Sequence, residues 1–129
     1  MAKVPQISDA EWEVMKALWE GGPLDAGQIV DAVAAPNKWN PRTVKTLLNR
    51  LVKKGALAFE VSGRHYVYRP KVAKDACIRR ETRSFLSRVF DGAVAPALVH
   101  FIEQADLSPQ EIRQLKQMLE QTLTREQRP

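Results

Sequence analysis

WNPRTVKTLLNRLVKKG, residues 39–55, is the stretch that decides how this chain is read. Asn40 is placed to cap a helix, and Pro41 follows at the first helical position, where its missing N–H costs nothing. Val44, Leu47, Leu48 and Leu51 recur at helical spacing and make one apolar stripe. Gly55 closes the helix as a left-handed cap. The rest of the cylinder carries Arg42, Thr43, Lys45, Thr46, Asn49, Arg50, Lys53 and Lys54, with no acid among them. An ordinary surface helix mixes signs, because unlike pairs support it and like pairs weaken it. Arg, Lys, Asn and Thr are the side chains that meet phosphates and base edges in a major groove. These eight residues are therefore the candidate DNA-binding face. The plain alternative, a solvated helix that happens to be basic, has to be weighed against the flanking sequence.

The flanks strengthen the DNA reading. From Lys38 to Lys71 there are nine cations against Glu60 alone, so this block carries +8 while the remainder nets −3 of the total +5. A basic block confined to one helix and the segment after it is an electrostatic footprint for nucleic acid.

On the N-terminal side, Met1 to Gln6 reads as a loose start. Ser8 and Glu11 then form a capping box, with Ile7 and Trp12 as the hydrophobic staple. Trp12, Met15, Leu18 and Trp19 are the expected buried stripe, and Gly21-Gly22-Pro23 ends this helix. Two tryptophans one heptad apart are more often core than a ligand cage. Asp25 and Gln28 repeat the entry signal for a second helix, with Ile29, Val30 and Val33 inward and Ala35-Pro36-Asn37 as its break. Asp25 and Asp31 read as a cap and a solvated acid. Trp39 braces the turn into the basic helix.

After Gly55 the period changes to alternation. Leu57, Phe59 and Val61 point one way within Ala56 to Val61, Ser62-Gly63 is a two-residue turn signal, and RHYVYR returns from Arg64 to Arg69 before Pro70. His65 has no partner at metal-ligand spacing. Three helices and a hairpin, with the third helix basic, predict a winged helix-turn-helix whose wing tip carries Arg64 toward phosphate or the minor groove.

Composition then shifts. Ala73 to Phe90 reads as one long helix, with Ile78, Thr82, Phe85, Leu86, Val89 and Phe90 on its apolar side, stopped by Asp91-Gly92. Val94 to Gln104 follows, with Leu98, Phe101 and Ile102 inward. A third helix opens on the capping box of Ser108 and Glu111, with Leu107 and Ile112 as staple. Ile112, Leu115, Met118, Leu119 and Leu123 continue it, and the tail frays from Arg125. Three short helices cannot hide this much apolar surface among themselves, and a second copy is the simplest destination. The expected fold is mostly α with a small β-hairpin: a winged helix-turn-helix domain over residues 1–71, then a three-helix dimerisation domain over residues 72–129. Phe85, Leu86, Leu98, Phe101, Ile102, Ile112, Leu115 and Leu119 are the expected interface of a homodimer.

With 129 residues, 44% of them hydrophobic and 27% charged, the composition is that of a soluble globular protein. No apolar run is long enough to span a bilayer and no signal-peptide pattern opens the chain, so no membrane insertion and a cytoplasmic location are expected. Cys77 is the single cysteine. It can form neither an intrachain disulfide nor a metal cluster, and its helical setting suggests buried packing. No nucleophile–base pair, phosphate-cradling glycine loop or metal-ligand cluster is present, so neither an enzyme nor a cofactor is expected.

The runs TVKTLLNRLVKKGAL and GRHYVYRP, the Phe85-Leu86 helix and ADLSPQEIRQLKQML together closely resemble the BlaI/MecI family of bacterial transcriptional repressors, from Ile7 to about Leu123. The tryptophan-proline approach to the basic helix and the Gly-Arg wing carry the resemblance most specifically. It implies a homodimeric repressor on a palindromic double-stranded DNA operator. In the family this silences β-lactamase or penicillin-binding-protein genes, together with the gene of a membrane-bound sensor protease. It also implies relief by a cut within the dimerisation domain, before a Phe whose matching place here is Phe101, preceded by His100. Family members cut this way commonly carry Asn at that point. The copper-responsive branch has a C-terminal cysteine cluster that the tail LTREQRP lacks, which excludes copper sensing by that route. Two alternatives compete: a winged-helix module whose basic block meets an acidic protein, and a repressor of the same family that answers a different signal.

Overall fold

The helix starts are set by caps written in the sequence. The computed structural model describes residues 3–127. In chain order its elements are α1 (Asp9–Gly21), β1 (Leu24–Asp25), α2 (Ala26–Asn37), α3 (Pro41–Lys54), β2 (Leu57–Ser62), β3 (His65–Pro70), α4 (Lys74–Phe90), α5 (Val94–Gln104) and α6 (Pro109–Glu126). Capping boxes form at Ser8 with Glu11, Asp25 with Gln28, and Ser108 with Glu111. Each satisfies two backbone N–H groups that would otherwise be orphaned. By contrast, Ala93 before α5 offers no side-chain cap. The chain forms two compact units, one ending at Ser84 and the next beginning at Phe85.

The first unit is built round one core. Val14, Met15 and Leu18 of α1, Ile29 and Val33 of α2, and Val44, Leu47, Leu48 and Leu51 of α3 are buried together. Leu57 and Tyr68 of the sheet and Val72 and Cys77 near the start of α4 complete it. Burial pushes the Cys77 thiol up, so it stays protonated and acts as a small apolar side chain. Trp19 donates from Nε1 to the carbonyl oxygen of Val72 at 3.1 Å, which ties α1 to the chain entering α4.

Several expectations need correction. The sheet has three strands in the order β1-β3-β2, not two, with Leu24 paired to Tyr68 and Asp25 to Val67. A two-residue strand shows no alternation, so nothing in the sequence marked it. The hairpin turn is Gly63-Arg64, one residue later than expected, because Ser62 pairs with His65 and the positive φ of 62° falls on Gly63. Positive φ at the first central residue alone is the requirement of a II′ turn. Pro36 does not break α2 but sits in its last turn; the helix ends at Lys38, in the left-handed region. Trp12 and Trp19 are half-buried, their rings 5.7 Å apart, while Val14 and Glu11 take the deep positions. The start is not loose where it is described: Ile7 is buried and Val4 packs on the core, while Met1 and Ala2 lie outside the described residues. Helix α6 continues past Arg125 to Glu126, and Arg128 and Pro129 again lie outside the described residues.

In the second unit Phe85 stacks on Phe101 with ring centroids 6.0 Å apart, and Phe90 lies 5.6 Å from His100. Ala97 is buried, yet α6 buries no residue. Leu98, Phe101 and Ile102, expected inward, are exposed in the single chain. Among the described residues no single helix is long and apolar enough to cross a membrane.

One buried ion pair fastens the end of α3. Glu11 is only 1% exposed, and its Oε1 accepts from both the Ser8 N–H and the Lys54 ammonium. Lys54 also donates to the Gln6 carbonyl at 3.1 Å, while Glu11 Oε2 has no protein partner among the described residues. Burial pushes the Glu11 carboxyl up, but the hydrogen bonds from Lys54 and Ser8 outweigh it and hold the group below its ordinary value. A carboxylate with a depressed folded pKa stabilises the fold above its unfolded pKa and loses that contribution as pH falls through the folded value. Lys54→Met should therefore lower the unfolding free energy near neutral pH by ~1–3 kcal/mol, the cost of stranding a buried acceptor. Urea melts at decreasing pH should show the gap from the parent protein closing as Glu11 protonates. A gap that persists unchanged into acid would show that the pair does not hold α3.

Candidate nucleic-acid interface

The geometry of α3 follows from its stripe. Asn40 accepts at Oδ1 from the Thr43 N–H at 2.9 Å, which starts the helix, and Gly55 ends it with φ of 83°. With Val44, Leu47, Leu48 and Leu51 all buried, most of the polar side chains are left pointing outward. Arg42, Lys45, Thr46, Asn49, Arg50 and Lys53 are exposed, and Thr43 is half-exposed. No acid lies on this helix. Lys53 and Lys54 sit in its last turn, where cations suit the helix dipole.

The two threonines are oriented by the helix itself. Thr46 donates its hydroxyl proton to the Arg42 carbonyl at 3.1 Å, and Thr43 donates to Asn40 Oδ1 at 3.2 Å. A threonine held this way offers an acceptor oxygen and a methyl group. Those suit an exocyclic amine or a thymine methyl in the major groove. The arginines are free to fork onto guanine or phosphate.

Lys54 differs from its neighbours. Sequence alone groups it with Lys53 as a phosphate contact, but its ammonium is engaged by Glu11 and Gln6. The signal that could have shown this is Glu11, an acid at a position of α1 that faces the core.

The wing presents Arg64 in the turn itself, exposed, at the far end of β2 and β3. The Arg69 guanidinium pairs with Glu60 across the strands, so Glu60, the one acid of the basic block, is neutralised locally. Toward the tip, Phe59, Val61 and Tyr66 share one face and are about half exposed or more, while Tyr68 at the base is buried. Phe59 meets Tyr66 edge-on at 5.1 Å, an arrangement that stiffens the ribbon. His65 is exposed beside the turn.

The residues expected at a dimer interface lie elsewhere. Phe85 and Leu86 are half-buried, and Leu98, Phe101, Ile102, Ile112, Leu115 and Leu119 are exposed in the single chain. His100 and Phe101 are consecutive residues within α5. Among the described residues no group of three or more His, Cys, Asp or Glu could hold a metal ion.

This arrangement has known counterparts. The family model described as penicillinase repressor matches residues 7–121. The penicillinase repressor of Bacillus licheniformis is 39% identical over 121 residues, 94% of each chain. The methicillin resistance regulatory protein MecI of Mammaliicoccus sciuri is 31% identical, over 91% of this chain and 95% of that one. Among solved structures, the DNA-binding domain of the repressor BlaI is 42% identical with a TM-score of 0.53, covering 57% of this chain and 90% of that one. The monomeric form of Bacillus licheniformis BlaI in complex with the blaP half-operator is 41% identical with a TM-score of 0.52, covering 58% and 92%. The fold of the first unit is thus a winged helix-turn-helix.

Two outcomes follow for this surface. Thr46→Ala should weaken a selected site by ~1–3 kcal/mol while leaving random duplex nearly unchanged, measured by competitive titration. Equal loss on both would remove Thr46 from base readout. Arg64→Ala should weaken specific and non-specific duplex alike and flatten the salt dependence by about one unit. An unaltered slope would mean that the wing tip stays clear of the phosphates.

Proposed function

The chain belongs to the penicillinase repressor family, and on that footing we propose that it is a transcriptional repressor that binds a palindromic double-stranded DNA operator as a homodimer. The observation that carries the reading is the outward face of α3, acid-free and cationic over its whole length. Arg42, Thr43, Lys45, Thr46, Asn49, Arg50 and Lys53 are its contacts, with Arg64 on the wing. Lys54 serves as the internal counter-ion of Glu11. DNA is favoured over an acidic protein partner because a 41% identical structure was solved with a half-operator. The protein acts by binding, without catalysis, and its place of action is the cytoplasm, where the DNA is.

In this reading residues 1–71 bind DNA and residues 72–129 hold two copies together. Among the described residues, eleven of the fifteen large apolar side chains that stay exposed in one chain belong to the second unit, from Val89 to Leu123. Apolar stripes left exposed on this scale mark an interface. A second copy supplies the same surface under two-fold symmetry, with Leu98, Phe101 and Ile102 of α5 and Ile112, Leu115 and Leu119 of α6 meeting their equivalents. Phe85 and Leu86 brace that layer. Two basic helices then approach half-sites separated by whole turns of the duplex.

Control of β-lactam resistance or related genes is the physiological role that fits this family. Relief comes by a membrane-bound sensor protease cutting between His100 and Phe101. One feature of α5 supports a cut there: its first turn lacks a side-chain cap. The His at position 100, where cleaved relatives commonly carry Asn, favours a second reading in which the same repressor architecture answers another signal.

The pair Leu115→Asp with Leu119→Asp tests the assembly. Sedimentation should give a monomer, because carboxylates would face each other across a dry two-fold interface. Affinity for a full operator selected from a random pool should fall by roughly 10²–10⁴-fold, the loss of intramolecular linkage, with half-site affinity retained. A variant that stays dimeric, or a monomer that holds the full operator undiminished, would contradict it.

A further inference from the structure

Spacing of i, i+3, i+4, i+7 and i+8 is the spacing at which a helix presents the stripe it buries. In α4 one such stripe is Ala76, Arg79, Arg80, Arg83 and Ser84, and its three arginines are exposed. With Lys3 and Val4 this stripe lines an open groove of about 520 Å³. Four cations line that groove and no carboxylate does. Asp75 and Glu81, the acids of the helix, fall to either side of the stripe. Among the described residues Arg79, Arg80 and Arg83 form no ion pair. Arg79 and Arg83 are one turn apart, a like-charge placement that weakens a helix. None of the lining residues belongs to α3 or to the wing.

We propose that this groove is a second anion site, one that takes phosphate groups. Ala76 and Ser84 keep its floor low, so a ligand can lie between the arginine side chains. A guanidinium is planar, permanently charged and pairs with phosphate oxygens in a fork. Three arginines within about one helical turn, with Lys3 on the same groove, match two or more linked phosphates; a lone carboxylate would leave most of them uncompensated. Two sources share this chemistry: a free oligophosphate, and the duplex backbone beyond the stretch met by α3. The second source rests on the DNA-binding reading above.

The test uses the full chain and a variant with Arg79→Gln, Arg80→Gln and Arg83→Gln. A control variant with Arg113→Gln, Lys116→Gln and Arg125→Gln removes the same charge from α6. Circular dichroism checks that both fold. Inorganic pyrophosphate, titrated calorimetrically at low salt, should bind the parent and the control at one site per chain. It should bind the groove variant about tenfold more weakly or worse, the loss expected for removing charge-assisted pairs. In a second arm, the salt dependence of binding is compared on a short half-site duplex and on one extended at both ends. If the duplex backbone is the occupant, only the groove variant loses the extra slope that the longer duplex gives the parent. A pyrophosphate effect without the duplex effect identifies a free anion as the ligand; the duplex effect identifies DNA. A groove variant that matches the control in both arms overturns the proposal. A parent that binds no duplex at all would sink the repressor reading while leaving the pyrophosphate arm to decide the groove.

Discussion

Everything about the binding surface depends on the burial of four side chains of α3. Val44, Leu47, Leu48 and Leu51 are fully or nearly fully removed from water. Each such burial stabilises the fold by roughly 1.5–3 kcal/mol, which no rearrangement of surface cations could offset. The stripe therefore fixes the rotation of the helix about its own axis. Once that rotation is fixed, the direction of every polar residue is fixed with it. The cationic face needs no further positioning than the Asn40 cap at one end and the Gly55 turn at the other. The Glu11–Lys54 pair adds a third fastening at the end of the helix away from Asn40. In the proposed repressor a helix held this firmly meets duplex without reordering, which lowers the entropic cost of binding.

That dependence explains what could be seen in the sequence. A helix whose apolar stripe and cap agree leaves little freedom, and the cap, the buried stripe and the glycine stop of residues 40–55 follow the sequence reading. The capping boxes were equally legible, because each is a local interaction between residues three apart. What was missed is what local patterns do not carry. β1 exists because Leu24 and Asp25 meet Tyr68 and Val67, more than forty residues away in sequence. The role of Lys54 is set by Glu11, on a different helix. Phe59 and Val61 alternate as a strand should, yet the wing extends beyond the core and leaves them exposed; alternation records a face, not what covers it. The exposed stripes of α5 and α6 show the same gap. Their period was plain, but one chain leaves both uncovered.

The two units have different physical economies. The first closes its own core and carries the acid-free face of α3 and the wing. The second buries little: Ala97 is its one buried residue among those described, and the aromatic contacts of Phe85, Phe90 and Phe101 supply its internal packing. A unit so exposed gains most of its stability from whatever covers it. In the proposed repressor this makes assembly and order in the second unit, which begins at Phe85, the same event. Separating the copies, by a cut or otherwise, then acts on operator occupancy without altering any side chain of α3.

The most direct measurement is the amide chemical-shift map of the isotopically labelled full chain titrated with a duplex half-site. The account predicts perturbations concentrated on Arg42 to Lys53 of α3 and on Gly63 and Arg64 of the wing, with the Lys54 ammonium still paired to Glu11. Perturbations that bypass α3, or a map confined to α5 and α6, would contradict the claim that the buried stripe exists to aim this face at DNA.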